Sequence, residues 1–438
     1  MLLSVIGTGY LGATHAACLA AFGHEVVGVD VDPAKVARLA SGSAPFHEPG
    51  LDALVRRGVE SGRLRFDTDS RSAAGADAHF LCVGTPQRAG SDAADLSARD
   101  AAVGSLVPHL RRPCLVVGKS TVPVGTARRL AGRLRAECPA GDAVGLAWNP
   151  EFLREGHAVE DSLGPDRLVF GVTDDESDLV LREIYAPALA RGVRVVRTDL
   201  ETAELAKVSA NVMLAARVSL VNLLAEVCEA ADADIEDLTS ILGLDPRIGS
   251  RFLAPGIGYG GGCLPKDTRA FVARAEELGV DGPLDLIREV DAVNAHQRAR
   301  TVDLAVRLLG GSARGRRVGV LGAAFKADSD DVRDSPALDV AARLVELGAD
   351  LRLHDPRAMA NARRAVPALS TAETVEGACR DAELVLVLTD WEEFRGLDPV
   401  ALAGVVRRPV VIDGRLAIDA DKWEAAGWEV RALGRGAR

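Results

Sequence analysis

Lysine is scarce in this chain: six residues stand against 46 arginines in a length of 438. Arginine therefore supplies generic positive charge. Lys35, Lys119, Lys207, Lys266, Lys326 and Lys422 mark places where a compact, titratable cation is worth keeping. Paired cysteines are missing too. Cys18, Cys82, Cys114, Cys138, Cys228, Cys263 and Cys379 are odd in number, scattered and without a CxxC. That argues against a disulfide framework or a cysteine zinc site and leads us to expect a reducing cytoplasm. The eight histidines form no pair at metal-ligand spacing, so no metal is expected. No apolar run is expected to reach the ~20 residues of a membrane span, and "MLLSVIG" is too short for a signal-peptide core. A net charge of −11 without runs of like charge argues against nucleic-acid and membrane partners.

What is present reads as a globular protein of two to four domains at roughly 100–200 residues each. The N-terminus, "LLSVIGTGYLGATHAACLAAFGHEVVGVD", is a strand, a Gly7-x-Gly9-x-x-Gly12 turn, a helix and a strand ending at Asp30. This context makes the glycines a dinucleotide fingerprint. Gly7 permits the turn, Gly9 lets a pyrophosphate approach, and Gly12 permits close helix packing. Tyr10 and Leu11 lie within it, and Lys35 follows closely. Asp30 is placed for the adenosine ribose hydroxyls and repels a 2′-phosphate, so NAD is expected over NADP. The strands "AHFLCVGTP" and "PCLVVGKSTVPVGT" end at Thr85 and Thr121, both candidate cofactor or active-site contacts.

The C-terminal part repeats the plan in "RRVGVLGAAFK", "DLRLHDP", "DAELVLVLTDW" and "RRPVVIDGR". Its first turn keeps Gly322 but loses the second and third glycines. Lys326 and Arg333 supply positive charge instead, so a different phosphate ligand is expected there. Between the halves runs a stretch of more than thirty residues without Pro or Gly, with Thr198 and Glu201 as an expected capping box. The fold class expected is α/β: two Rossmann-like doubly wound domains joined by a helical middle domain with a long central helix. The boundaries expected are 1–198, 199–300 and 301–438. The tail "RALGRGAR" is expected to be disordered.

One cysteine stands apart. In "GIGYGGGCLPKD", Cys263 sits in a glycine-rich loop and Asp267 follows four residues later. Backbone N–H groups of such a loop can stabilise a thiolate or an oxyanion. Beside an NAD site, this suggests oxidation through a covalent thioester. Lys207 and Asn211, at i and i+4 on the long helix, make an oxyanion pair. Glu151 and Glu155 in "WNPEFLREG" have the same helical spacing.

These motifs, with "ELAKVSAN", "DPRIG" and "FKADSDDVRDSPA", resemble the UDP-glucose/GDP-mannose dehydrogenase family over nearly the whole chain. The resemblance implies oxidation of a nucleotide sugar's 6-hydroxymethyl to a carboxylate with two NAD⁺, and a homodimer through the long helix. It implies Cys263 as nucleophile, Lys207 and Asn211 as oxyanion stabilisers, and Asp267, Thr121 and Glu151 as the set that activates water. Glu155 would line the same site on the cofactor side. Glu151, Phe152, Leu153, Lys207, Asn211, Phe252, Gly260, Lys326 and Arg415 would contact the sugar nucleotide, with Arg247 coming from the neighbouring subunit. The glycines of the cysteine loop would let it fit closely around the sugar's C6. Many members have serine where this chain has Gly262. UDP-glucose is the expected substrate. GDP-mannose or UDP-N-acetylmannosamine are alternatives, and a 3-hydroxyacid dehydrogenase or a non-catalytic nucleotide-sugar sensor are remote ones.

Overall fold

The computed structural model describes residues 1–436. It comprises two compact units, residues 1–210 with 269–279, and residues 211–268 with 280 to the C-terminal end. Two Rossmann-like sheets are separated along the chain by a central helical region that begins with the helix Leu200–Ala230 and ends with the helix Asp285–Leu308.

The first unit holds β1 (Leu2–Ile6), β2 (Glu25–Val29), β3 (Leu64–Asp67), β4 (Ala78–Leu81), β5 (Cys114–Gly118), β6 (Val144–Trp148), β7 (Arg167–Val172) and β8 (Arg194–Thr198). They form one sheet in the order β3-β2-β1-β4-β5-β6-β7-β8. β1 pairs in parallel with both β2 and β4, Leu3 facing Val26 on one side and Ala78 on the other. The chain leaves β1 toward one edge and later crosses to the other. A crevice opens at that reversal, beyond the strands' C-terminal ends. The helix Tyr10–Ala21 covers the sheet with Gly, Ala, Thr and Cys, which lets helix and strands lie close; residues 12–20 are all buried. The sheet is parallel except at one pairing, where β7 runs antiparallel to β6. Buried Asn149, just past β6, donates to the Val169 carbonyl of β7 across that return.

The second unit holds β9 (Arg317–Leu321), β10 (Asp350–His354), β11 (Ser370–Thr371), β12 (Leu384–Val387), β13 (Val410–Asp413) and β14 (Glu429–Ala432). All are parallel, in the order β11-β10-β9-β12-β13-β14, the same order as the first six strands of the other sheet. The helix after β9 does not start at the turn. It starts at Pro336, capped by Ser335, fourteen residues past Gly322.

Three local expectations are corrected. The long helix is capped by Asp199, whose carboxylate accepts the Thr202 N–H at 2.7 Å, and not by a Thr198–Glu201 box. A carboxylate reaches the helix N–H groups from that position and also favours the positive helix end. Residues 151–154 are irregular, so Glu151 and Glu155 do not share a helical face. The tail is ordered through 436: residues up to Ala432 belong to β14, and Arg435 bridges to Asp234. Residues 437 and 438 lie outside the described residues. The long helix is also apolar and long enough, by length and composition alone, to cross a membrane. That corrects the expected absence of a stretch of this length; 44% of the helix's most apolar stretch is buried inside the protein.

Candidate active site

In the first unit the fingerprint glycines have separable tasks. Gly7 has φ 88°, and a Cβ there would sit 3.0 Å from the Val83 backbone. A Cβ on Gly12 would lie 1.8 Å from the Gly7 carbonyl oxygen. Gly9 is different: nothing stands within 4 Å of its Cβ position, so the space above it is open to a ligand. Gly9 caps the helix Tyr10–Ala21 without any side-chain hydrogen bond, which leaves that positive helix end exposed to the crevice. Leu11 is half-buried on its first turn.

Asp30, just past β2, accepts the Thr8 N–H at 2.8 Å and the Lys35 ammonium at 2.9 Å on each oxygen. Burial opposes its ionisation, but Lys35 and the Asp32 and Thr8 N–H groups outweigh burial and hold its pKa below the ordinary value. Tyr10 places its ring 4.8 Å from Phe46 and gives its hydroxyl to Glu48, whose oxygens also accept the Gly156 and Ala158 N–H groups. Burial and that neighbouring carboxylate push the Tyr10 phenol well above its ordinary value. Glu155 lies half-buried in the segment that Glu48 holds. The β4 and β5 ends are joined by Thr85, whose hydroxyl donates to the Thr121 carbonyl at 2.7 Å. Farther on, Lys207 forms a buried ion pair with Glu151 at 3.0 Å, with the Phe152 ring 5.8 Å from its Nζ. The other Glu151 oxygen accepts the Leu153 N–H at 2.6 Å.

The second unit holds the thiol. Cys263 is exposed and directly precedes the helix Leu264–Glu277, where N–H groups and the helix dipole favour a thiolate. Asp267 lies in the first turn, its N–H bonded to the Cys263 carbonyl at 3.0 Å. Its buried carboxylate accepts the Asn211 amide at 2.6 Å and also meets the Lys266 ammonium.

The glycines leading to Cys263 correct an expectation. On the side a Cβ would take, they are filled by the protein's own atoms rather than left open for a ligand. Added Cβ atoms would meet the Gly414 carbonyl oxygen at 2.9 Å from Gly256, Asn294 at 2.3 Å from Gly258, the Asp334 carbonyl oxygen at 2.4 Å from Gly260 and the Phe325 ring at 2.9 Å from Gly261. Gly262, where serine is common in the family, would meet the Arg333 guanidinium at 2.2 Å. Its missing side chain is thus the seat of an arginine. Arg415 braces the same loop, donating to the Gly258, Leu388 and Phe325 carbonyls, and burial pushes its pKa down to about 10. Lys326 lies beside the Phe325 ring, 5.7 Å from its centroid. Arg247 is exposed and forms a two-pronged pair with Asp245, while Phe252 is exposed with φ 60°.

The scarce lysines are informative. Lys35, Lys119, Lys207 and Lys266 each meet a named oxygen, while Lys422 is merely exposed. Sequence reasoning missed Glu48, Glu204, Asn222 and Asn294, buried polar residues whose partners are distant backbone groups. The signal available for Glu204 was a carboxylate three residues before Lys207 in an apolar helix. Among the described residues, no group of three His, Cys, Asp or Glu is placed to hold a metal.

Comparison with known proteins gives a consistent picture. The UDP-glucose/GDP-mannose dehydrogenase family matches in three parts: its NAD binding domain over residues 1–189, its central domain over 201–296 and its UDP binding domain over 319–420. UDP-glucose 6-dehydrogenase of Rhizobium meliloti is 40% identical over 438 residues, covering 99% of this chain and 100% of its own. The structure of a UDP-glucose dehydrogenase from Pyrobaculum islandicum is 38% identical, with TM-score 0.91, covering 100% of this chain and 98% of that one. A UDP-D-ManNAc dehydrogenase from Pyrococcus horikoshii is 25% identical, with TM-score 0.88 and full coverage of both chains.

Proposed function

The chain belongs to the UDP-glucose/GDP-mannose dehydrogenase family, and from that premise we propose that it oxidises C6 of UDP-glucose to the carboxylate of UDP-glucuronate. The activity of this family is NAD-dependent nucleotide-sugar dehydrogenation. The observation that carries the reading for this chain is the Cys263 thiol at a helix N-terminus with the Asn211-bonded Asp267 carboxylate one turn on. A nucleotide-sugar sensor needs neither.

The crevice fits NAD by its own features: open space over Gly9, an uncapped helix start, and the Asp30 carboxylate. When bound, NAD⁺ would accept hydride from the sugar, two NAD⁺ molecules in succession taking one hydride each. In this reading the first oxidation converts the C6 alcohol to an aldehyde, the hydride going to NAD⁺ and the hydroxyl proton to water. The Cys263 thiolate then forms a C–S bond to C6, giving a thiohemiacetal whose oxygen carries the negative charge. Lys207 and Asn211, one turn apart on one helix, stabilise that oxygen. Loss of the second hydride leaves a thioester. Asp267, with Thr121 and Glu151, positions a water and takes its proton. The C–S bond breaks, the acid leaves and the thiolate is restored. Phe152, Leu153, Phe252, Gly260, Lys326 and Arg415 are proposed on the sugar-nucleotide side, and Tyr10, Leu11, Lys35, Thr85 and Glu155 on the cofactor side.

A homodimer is part of the proposal. Met213, Leu220, Leu223 and Val227 are exposed at helical spacing on the long helix, an apolar stripe suited to a second copy. Arg247 would then serve the neighbour's site. The test is NADH release with UDP- and GDP-sugars, where UDP-glucose should be the best substrate and yield two NADH per sugar. One NADH with free aldehyde, or no turnover of any sugar, refutes the reading. Cys263→Ala should fail to form the acid.

A further inference from the structure

Glu204 is only 1% exposed and has no part in the chemistry above. Both its oxygens are used: Oε2 accepts the Gly125 N–H at 2.7 Å and Oε1 the Ala127 N–H at 2.6 Å. These N–H groups open the helix Thr126–Glu137. Its cap residue, Gly125, has φ 90° and offers no side-chain bond. A carboxylate 77 residues away from Ala127 in the chain therefore does the work of a local N-cap.

The consequence is positional. The loop before that helix carries Thr121 and is pinned at three further points. Ser120 donates to the Val83 carbonyl at 2.7 Å, Thr85 to the Thr121 carbonyl at 2.7 Å, and Arg274 to the Val124 carbonyl at 2.9 Å. On the long helix, Lys207 follows Glu204 by three residues, hence on the same side. A helix gripped at Glu204 cannot turn or slide without moving the Lys207 ammonium away from Glu151. We propose that Glu204 is a positioning residue, a clamp that fixes Lys207 and the Thr121 loop relative to one another for the oxidation. The clamp rests on the function proposed above.

The clamp is also sensitive to pH. Burial pushes the Glu204 carboxyl up to about 7 against the pull of the Ala127 and Gly125 N–H groups. Glu201 on its own helix raises it further, and Arg129 on the facing helix lowers it. The other charges around it are Lys207 on its helix, Arg128, which pairs with Glu201, and Arg274 at the Val124 carbonyl. The carboxylate accepts from two N–H groups with full charge. Once protonated it loses that charge, and one oxygen becomes a donor. The grip therefore weakens as pH falls through neutrality.

Glu204→Gln is neutral at every pH and is the test. At about pH 8.5, kcat should fall roughly 10–100-fold while both KM values stay within about threefold. The wild-type to variant ratio of kcat should shrink toward one by about pH 5.5. A ratio that does not change with pH, or a KM effect without a kcat effect, overturns the proposal. Hydrogen exchange of residues 119–130, corrected for intrinsic rates, reads the clamp without any turnover. Protection should be lower in the variant at the higher pH and equal at the lower one, and equal protection at both overturns the clamp whatever the substrate proves to be. If Glu204→Gln does not fold, Glu204→Asp keeps the charge but shortens the reach. It should lose kcat at about pH 8.5, where the wild-type clamp is charged, and wild-type kcat in it at that pH overturns the proposal.

Discussion

Asn211 donates its side-chain amide to Asp267 Oδ2 at 2.6 Å, with both residues buried. The bond ties the long helix to the first turn of the helix that follows Cys263. With Lys266 on its other oxygen, the carboxylate has a fixed direction one turn from the thiol. Asp267→Asn keeps the shape and removes the carboxylate proposed as the base. Rapid mixing with NAD⁺ and UDP-glucose should then show a burst of NADH followed by steady turnover about 10²–10⁴-fold below wild type. An unchanged steady rate would remove Asp267 from the hydrolysis step.

Lys207 and Glu151 are a buried pair with side chains 6% and 12% exposed. Lys207→Ala strands the carboxylate with little besides the Leu153 N–H. Urea unfolding should show a loss of about 3 kcal/mol, and kcat should fall about 10²–10³-fold. Loss of stability with kcat intact would make Lys207 a structural cation only.

Asp30 and Lys35 are proposed to set the choice of cofactor. Asp30→Ser removes the carboxylate that repels a 2′-phosphate and frees the Lys35 ammonium to attract one. The NAD/NADP ratio of kcat/KM should fall by about tenfold or more, the worth of roughly 1.4 kcal/mol. Steady-state kinetics with both cofactors measures it, and an unchanged ratio would contradict the ribose assignment.

Lys119 is buried just past β5, its Nζ 3.0 Å from Asn149 Oδ1, and burial pushes its pKa down to about 8. Between that value and the ordinary lysine value, the unfolded chain holds a proton that the folded chain lacks. Stability should therefore rise with pH in that window, by about 2 kcal/mol from pH 8 to pH 9.5 relative to Lys119→Met. Denaturation of the two proteins across that range checks the sign, and parallel curves would place the proton elsewhere.

How much of this was legible in sequence depends on the distance between partners. The position of Asp30 beside the glycine turn was readable because the fingerprint fixes its spacing from Gly12. The Lys207–Asn211 pair was readable because one helix turn joins them. Glu204 and Glu48 were not, because their partners are backbone N–H groups 79 and 108 residues away. No local pattern records such a bond. The cysteine loop misled for a related reason. Its glycines signalled close approach correctly, but composition could not say whether a ligand or the protein's own Asn294, Asp334, Phe325 and Arg333 would approach. The sheets were legible from their apolar runs, while the antiparallel entry of β7 was not.

Asp355 stands past β10 where Asp30 stands past β2. It is 1% exposed, and its oxygens accept the Ala323, Ala324, Arg357 and Ala358 N–H groups and the Trp391 indole. Asp30 accepts two backbone N–H groups, from Thr8 and Asp32, and its remaining partner is the partly exposed Lys35 ammonium. Asp355 shares its carboxylate with fixed backbone and a buried ring. Writing glycine back at 324 and 327 would therefore rebuild the letters of a dinucleotide motif without rebuilding a receptor, because the acid that would greet a ribose is already spoken for. The two halves share a scaffold, and the second has been locked from within against the first one's cargo.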